Sequence, residues 1–155
     1  DTHSVLDERF IPHLKDSDEI WHAGDIGSLV IYDKLNEISK VKAVYGNIDN
    51  HQIRITLASE VFFKCEGLNI YMTHIGGYPG KYSKAVKEKI EKTKPDIFIC
   101  GHSHILKVMN DKINNLLFIN PGAAGNHGIH QVKTIVQFII NEKKISDLKI
   151  IELKR

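Results

Sequence analysis

Hydrophobic positions along the chain switch between two periods. Helical spacing runs from Leu6 to Leu14 and from Ser28 to about Ile38, while short strand-like apolar runs occupy Glu19 to Ala23 and Val41 to Tyr45. This succession is βαβ grammar. A polar connection leads to strands Val61 to Cys65 and Leu68 to Thr73, a Gly/Pro loop at Gly76 to Gly80, a helix from about Tyr82 to Lys92 and a strand Ile97 to Cys100. The remainder reads as β-rich: Leu106 to Met109, a turn near Asn110 and Asp111, Leu116 to Ile119, Thr134 to Ile140, a turn at Asn141 to Lys144, and Lys149 to Leu153. Strands alternating with helices early and hairpins late predict two mixed sheets packed face to face with helices outside. The 155 residues suit one domain, 1–155, with a core of its own and no need of disulfide or metal staples to fold. The chain opens directly on Asp1-Thr2-His3-Ser4, a segment that an α/β chain ordinarily feeds from a buried strand, so a first strand is expected to be missing from this sequence.

Composition narrows the field by exclusion. Apolar residues at 42% and charged ones at 26% fit a globular protein rather than a disordered, fibrous or membrane chain. A net charge of +2 is too small for the basic field that duplex nucleic acid attracts, so no obligate nucleic-acid partner is expected. The lysines between Lys81 and Lys94 interleave with Glu88 and Glu91 and read as the solvated face of an amphipathic helix. Cys65 and Cys100 stand alone in apolar runs, as core thiols rather than a redox pair or zinc knuckle. No apolar stretch approaches the roughly 18–20 residues that span a bilayer, and a cytoplasmic location without membrane association is expected.

Chemistry enters with residues placed at the ends of successive predicted strands: Asp1 and His3, Asp25 after Gly24, Asn47 after Gly46, His74, and His102 and His104 after Gly101. Carboxyl ends of strands in α/β sheets form the crevice where ligands bind. An i, i+2 spacing in extended backbone puts both side chains on one face, as Asp1/His3 and His102/His104 require to serve one cluster. Glycine before Asp25, Asn47 and His102 permits sharp turns into a crowded site. Four imidazoles, two carboxylates and one amide oxygen form a mixed N/O set suited to manganese, iron, zinc, cobalt or nickel, without the thiolates of a structural zinc site. Two divalent ions against two carboxylates leave a positive centre that favours a phosphate, and a water they share can be ionised for in-line attack.

The order D-x-H, G-D, G-N, H, G-H-x-H resembles that of the calcineurin-like metallophosphoesterase superfamily, and over essentially the whole chain it is similar to the small YfcE-type phosphodiesterase branch. The resemblance implies a four-layer α/β/β/α sandwich that supplies the first strand this sequence lacks; without that strand Asp1 would be poorly anchored. It implies Asp1, His3, Asp25 and His104 as ligands of one ion and Asp25, Asn47, His74 and His102 as ligands of the other, with Asp25 bridging, manganese first among the candidates and nickel, zinc, iron, cobalt or magnesium as alternatives. Hydrolysis of a small phosphate ester, preferably a diester, by a hydroxide bridging both ions is the implied reaction.

The pattern departs from the family at Ile48, where many relatives carry a histidine that helps stabilise the phosphoryl group and protonate the leaving oxygen. Asp49 matches the carboxylate that follows, with a role either in orienting a ligand or in relaying a proton. Without that histidine, substrates with good leaving groups are favoured. His13, His22 and His51 are left outside the site as surface or hydrogen-bonded residues, and His127 and His130 are either surface residues or substrate contacts. The Asn120-Pro121-Gly122 segment, similar to one near the metals in relatives, is read as structural support. The Gly76 to Gly80 stretch is either a mobile loop over the substrate, with Tyr78 and Lys81 reaching it, or an ordinary turn. An alternative reading is a non-catalytic protein-binding scaffold like the Vps29 subunit of the retromer coat, which has the same fold and a degraded metal site. A homodimer through an exposed edge strand would be unsurprising.

Overall fold

The computed structural model describes residues 1–155. Strand β1 (Glu19–His22) pairs in parallel with β2 (Lys40–Ala43). Strands β3 (Glu60–Cys65), β4 (Leu68–Thr73), β5 (Ile97–Ile99), β6 (Lys107–Asp111) and β7 (Leu116–Asn120) form a mixed five-stranded sheet in the order β3-β4-β5-β7-β6. The chain closes with a long antiparallel hairpin, β8 (Val132–Asn141) and β9 (Lys144–Lys154). Helices are α1 (Ile11–Lys15), α2 (Leu29–Ile38), α3 (His51–Thr56) and α4 (Lys84–Thr93).

Two-residue alternation sorts the five-stranded sheet into two faces. Tyr71, Phe98, Leu116 and Phe118 point to one side and pack with Val86 and Ile90 of α4. Ile70, Met72, Ile97, Ile99 and Ile119 point to the other, against Ala23 and Val44 beside the first sheet and Val136, Phe138 and Ile140 of β8. The far side of the first sheet buries Ile20 and Ala43 against Ile31 and Leu35 of α2 and Ile53 of α3. Helix, sheet, sheet, helix is the layer order, as expected.

In detail the strands form three hydrogen-bonded sheets rather than two. The β8–β9 hairpin shares a layer with β1 and β2 without pairing to them. A cleft of about 130 Å³ lies between, walled by Ile20 and Trp21 of β1, Ile135 and Val136 of β8, and Phe10 and Leu14 below.

Other boundaries moved for local reasons. The expected helix from Leu6 to Leu14 splits into a 3₁₀ turn at Glu8–Phe10, capped by Asp7, and α1. Pro12 has no N–H to donate and is accommodated in the first turn of α1. The turn expected near Asn110 and Asp111 falls after Asp111, whose carboxylate accepts from the Ile113 and Asn114 amides at 3.0 and 3.2 Å. Strand β9 begins five residues earlier than Lys149. Its apolar alternation is broken where the register with β8 shifts at Asp147, a residue with φ 50°. The lysine-rich helix is α4, where Lys87 lies 3.9 Å from Glu91 and Lys89 contacts Glu60, so its polar face is solvated as expected. No helix is long and apolar enough to cross a membrane.

Candidate metal centre

The loops after β1, β2, β4 and β5 converge with the opening segment and bring six acidic and histidine residues into two overlapping groups. Asp1, His3, Asp25 and His104 form one, and Asp25, His74 and His102 the other, with the donor atoms of each group within 4.8 Å of one another. Asp25 belongs to both. Its Oδ2 lies 3.6 Å from His3 Nε2 and its Oδ1 3.2 Å from His74 Nε2. Asn47 joins the second group, with Oδ1 3.0 Å from His74 Nε2. All seven residues singled out as ligands from the sequence are therefore assembled in one place.

The backbone bends sharply to achieve this. His3, Asp25, His102 and His104 have φ of 47°, 53°, 69° and 57°, a left-handed region that L-residues avoid and that strained functional loops occupy. The neighbouring glycines serve close approach as much as turning. A Cβ on Gly46 would stand 2.1 Å from Asp25 Oδ1, one on Gly24 2.6 Å from the His74 ring, and one on Gly101 2.8 Å from Asp1 Oδ2. Of these only Gly24 needs positive φ, at 96°, so for Gly46 and Gly101 the expectation of a special turn gives way to lack of space.

Asp1 is firmly held, contrary to the weak anchoring expected of it. Its carbonyl accepts from the Ala124 and Gly125 amides, both at 3.0 Å, and its carboxylate accepts from the His102 amide at 3.1 Å. The Asn-Pro-Gly segment supports the site from the same side: the Asn120 side-chain amide donates to the Gly101 carbonyl at 2.8 Å. Behind Asp1 stands the buried His22, whose Nδ1 accepts from the Gly24 amide at 3.3 Å. Its Nε2–H then donates to Thr2 Oγ1 at 3.0 Å, and that hydroxyl donates to the Ile26 carbonyl at 3.0 Å.

Asp49 is buried and belongs to neither ligand group. It accepts from the Gly27 and Gly46 amides at 2.7 Å each and from the Ile26 amide at 3.2 Å, tying the Asp25 loop to the Asn47 loop. Of the two roles expected for it, this geometry serves orientation. Arg54 on α3 adds a second tie, donating through Nε to the Asp49 carbonyl at 2.7 Å and through Nη2 to the Asn47 carbonyl at 2.9 Å. Sequence reasoning missed both α3 and Arg54. The available signal was Asn50, whose side chain caps α3 by accepting from the Ile53 amide at 3.1 Å.

The donor set fits a cation. His74 Nδ1–H donates to the Ala23 carbonyl at 2.8 Å, so in the neutral ring Nε2 carries a lone pair. That lone pair faces two further acceptors, Asn47 Oδ1 and Asp25 Oδ1. Three converging lone pairs repel one another unless a positive charge sits between them. Burial opposes the charge on Asp25, yet in the metal-free protein a proton taken up by His74 Nε2 in place of the cation, together with the Ile48 amide at 3.1 Å, holds its carboxyl at about 2, so it is ionised at neutral pH. Burial and the facing His3 ring lower His104 to about 4, so the neutral ring keeps one nitrogen lone pair for coordination.

These histidines give the metal-free protein a pH dependence. Burial holds His22 well below the usual imidazole range and also lowers His3 and His104. Imidazoles in the unfolded chain take up protons near pH ~6.5, so below that pH the unfolded state binds more protons than the folded one. Chelator-treated protein is expected to melt at progressively lower temperature as pH falls from about 7 to about 5. Thermal denaturation at stepped pH checks this, and a flat melting temperature would mean that the rings protonate freely in the fold.

Ile48, Ile75 and Ile105, each directly after a ligand, are exposed to solvent. In the Gly76 to Gly80 loop the Gly77 carbonyl accepts from Cys100 Sγ at 3.5 Å, and Tyr78 is flanked by Lys107, whose Nζ is 4.4 Å from the ring centroid.

Comparison with known proteins identifies the fold and the family. A "Probable metallophosphoesterase" of Methanothermobacter thermautotrophicus is 27% identical over 128 residues, covering 79% of this chain and 73% of that protein. Zinc-complexed Vps29 from Entamoeba histolytica superposes with a TM-score of 0.74 at 20% identity, covering 97% of this chain and 90% of the other. A structure described as a novel archaeal phosphodiesterase superposes with a TM-score of 0.68 at 22% identity, covering 94% and 90%. Residues 1–143 match the calcineurin-like phosphoesterase superfamily domain, and the chain belongs to that superfamily.

Proposed function

We propose that this metallophosphoesterase hydrolyses small phosphodiesters with two divalent ions, manganese first among the candidates. Asp1, His3, Asp25 and His104 would hold one ion and Asp25, Asn47, His74 and His102 the other. The observation that carries the reading is the position of Asp25, which offers one carboxylate oxygen to each group. Two bound ions would supply a water of lowered pKa and positive charge for the phosphoryl oxygens. The chain's own part is to fix the geometry: the Ala23 carbonyl sets the His74 ring, the Ile48 amide sets Asp25, and Asp49 and Arg54 lock the loops that carry Asp25 and Asn47. The exposed Ile48, Ile75 and Ile105 suit a diester whose substituents are themselves apolar or planar.

The test is metal-stripped protein assayed on bis(p-nitrophenyl) phosphate and p-nitrophenyl phosphate with added manganese, nickel, zinc or magnesium. Turnover should require metal, favour the diester, and fall at least about 100-fold in His74→Ala, the scale reached when even a group supporting a metal ligand is lost. With Ile48 where relatives place a proton donor, rates should also fall steeply as the leaving group becomes more basic. A second reading, a protein-binding scaffold, is favoured by the fold shared with Vps29. Since that protein was solved with zinc, metal binding alone does not separate the two; absence of turnover with every metal would favour the scaffold.

A further inference from the structure

We infer that His127 is a substrate-binding residue that donates a hydrogen bond to a non-bridging phosphoryl oxygen; this deepens the phosphoesterase reading and rests on it. The His127 ring lies against the ring of His3, with centroids 4.6 Å apart and planes inclined by 32°. His3 directs its Nε2 into the ligand group, 3.1 Å from His104 Nε2. His127 therefore stands beside the first group and is exposed to solvent.

Its loop is held there from three directions. Ala124 and Gly125 donate to the Asp1 carbonyl, and a Cβ on Gly125 would meet the Thr2 carbonyl oxygen at 2.1 Å. His130 Nε2–H donates to the Gly125 carbonyl at 3.0 Å, and the His130 ring meets His104 edge-on with centroids 5.4 Å apart. Arg155 Nη1 donates to the Gly128 carbonyl at 2.7 Å. Gly128 has φ 113°, and a Cβ there would stand 2.5 Å from His104 Nδ1, so the loop sits as close to the ligand as backbone allows. His130 is occupied in this bracing, with Nδ1 buried and without a partner. His127 is the member of the pair that reaches solvent.

The chemistry around the reacting phosphorus leaves a place for such a donor. Phosphoryl transfer places charge on the equatorial oxygens, and a preorganised N–H directed at one of them stabilises it. Asp49 is enclosed by backbone amides and Arg54 is committed to backbone carbonyls, so neither reaches substrate. Ile48 offers an apolar side chain. An exposed imidazole lying against a ligand ring supplies such a hydrogen bond without occupying a metal position.

The experiment compares manganese-loaded wild type, His127→Ala and His127→Gln by calorimetric titration with inorganic phosphate, with metal content measured in parallel. Unchanged metal content, a phosphate affinity about tenfold weaker in His127→Ala, the scale of one charge-assisted hydrogen bond, and substantial recovery in His127→Gln are expected. Turnover of bis(p-nitrophenyl) phosphate by His127→Ala should fall about 10- to 100-fold. Equal phosphate affinity in wild type and His127→Ala, no phosphate binding by wild type, or loss of metal from the variant would overturn the assignment. If phosphate binding depends on His127 while wild type turns over no ester, the hydrolase reading fails, and the phosphate contact of His127 stands without a substrate role.

Discussion

Asp25→Asn is expected to lose about one of two bound ions per chain, together with at least about 100-fold in turnover. The substitution keeps the size of the side chain and removes its charge and one donor oxygen. Which ion is lost follows from the backbone. The Ile48 amide donates to Oδ1 at 3.1 Å, so the remaining oxygen of asparagine is drawn to that position and the NH₂ group is turned toward His3. The group of Asp1, His3 and His104 should therefore empty first, while His74, His102 and Asn47 keep an oxygen partner. Manganese stoichiometry by elemental analysis, with a titration of turnover against added metal, checks this. Full stoichiometry and normal rates would show that Asp25 bridges nothing.

The second large effect belongs to a residue that touches no candidate ligand side chain. Asp49→Ala should destabilise the metal-free protein by about 3 kcal/mol or more, because the Ile26, Gly27 and Gly46 amides would lose their acceptor and buried unsatisfied donors cost about 1–3 kcal/mol each. Set against a total stability on the order of 5–15 kcal/mol, that loss is large. Asp49→Asn should cost less, since one oxygen can still serve two of the amides, and should recover part of the activity. Urea unfolding measures the first quantity and steady-state assays the second. A stable but inactive Asp49→Asn would instead favour a proton relay.

The centre was legible in sequence because its donors fall at strand ends, and strand ends are where apolar alternation stops. His74 follows Leu68–Thr73 and Asn47 follows Lys40–Ala43 closely enough that their convergence could be read from the pattern alone. Helix α3 could not be read the same way. It buries only Ile53, and its second isoleucine, Ile55, is exposed, so the spacing Ile53, Ile55 looks like neither a helix nor a strand. The division into three sheets was hidden for a different reason: β8 has strand periodicity whether it pairs with β1 or faces it across a cleft. The sequence leaves His127 open to two readings because contact between residues 3 and 127 arises from the loop's anchorage to Asp1, a tertiary fact without a local signal.

The glycines that lie against the ligands extend the site's footprint beyond its donors. Gly24, Gly46 and Gly101 contribute no atom to coordination, yet a single methyl at any of them would intrude on His74, Asp25 or Asp1. In a survey of every possible substitution, these positions should be as unforgiving as the histidines, although nothing in their chemistry says so. Transplanting the donor residues alone onto another α/β scaffold should fail for the same reason, because what has to be carried across includes the empty volume beside them.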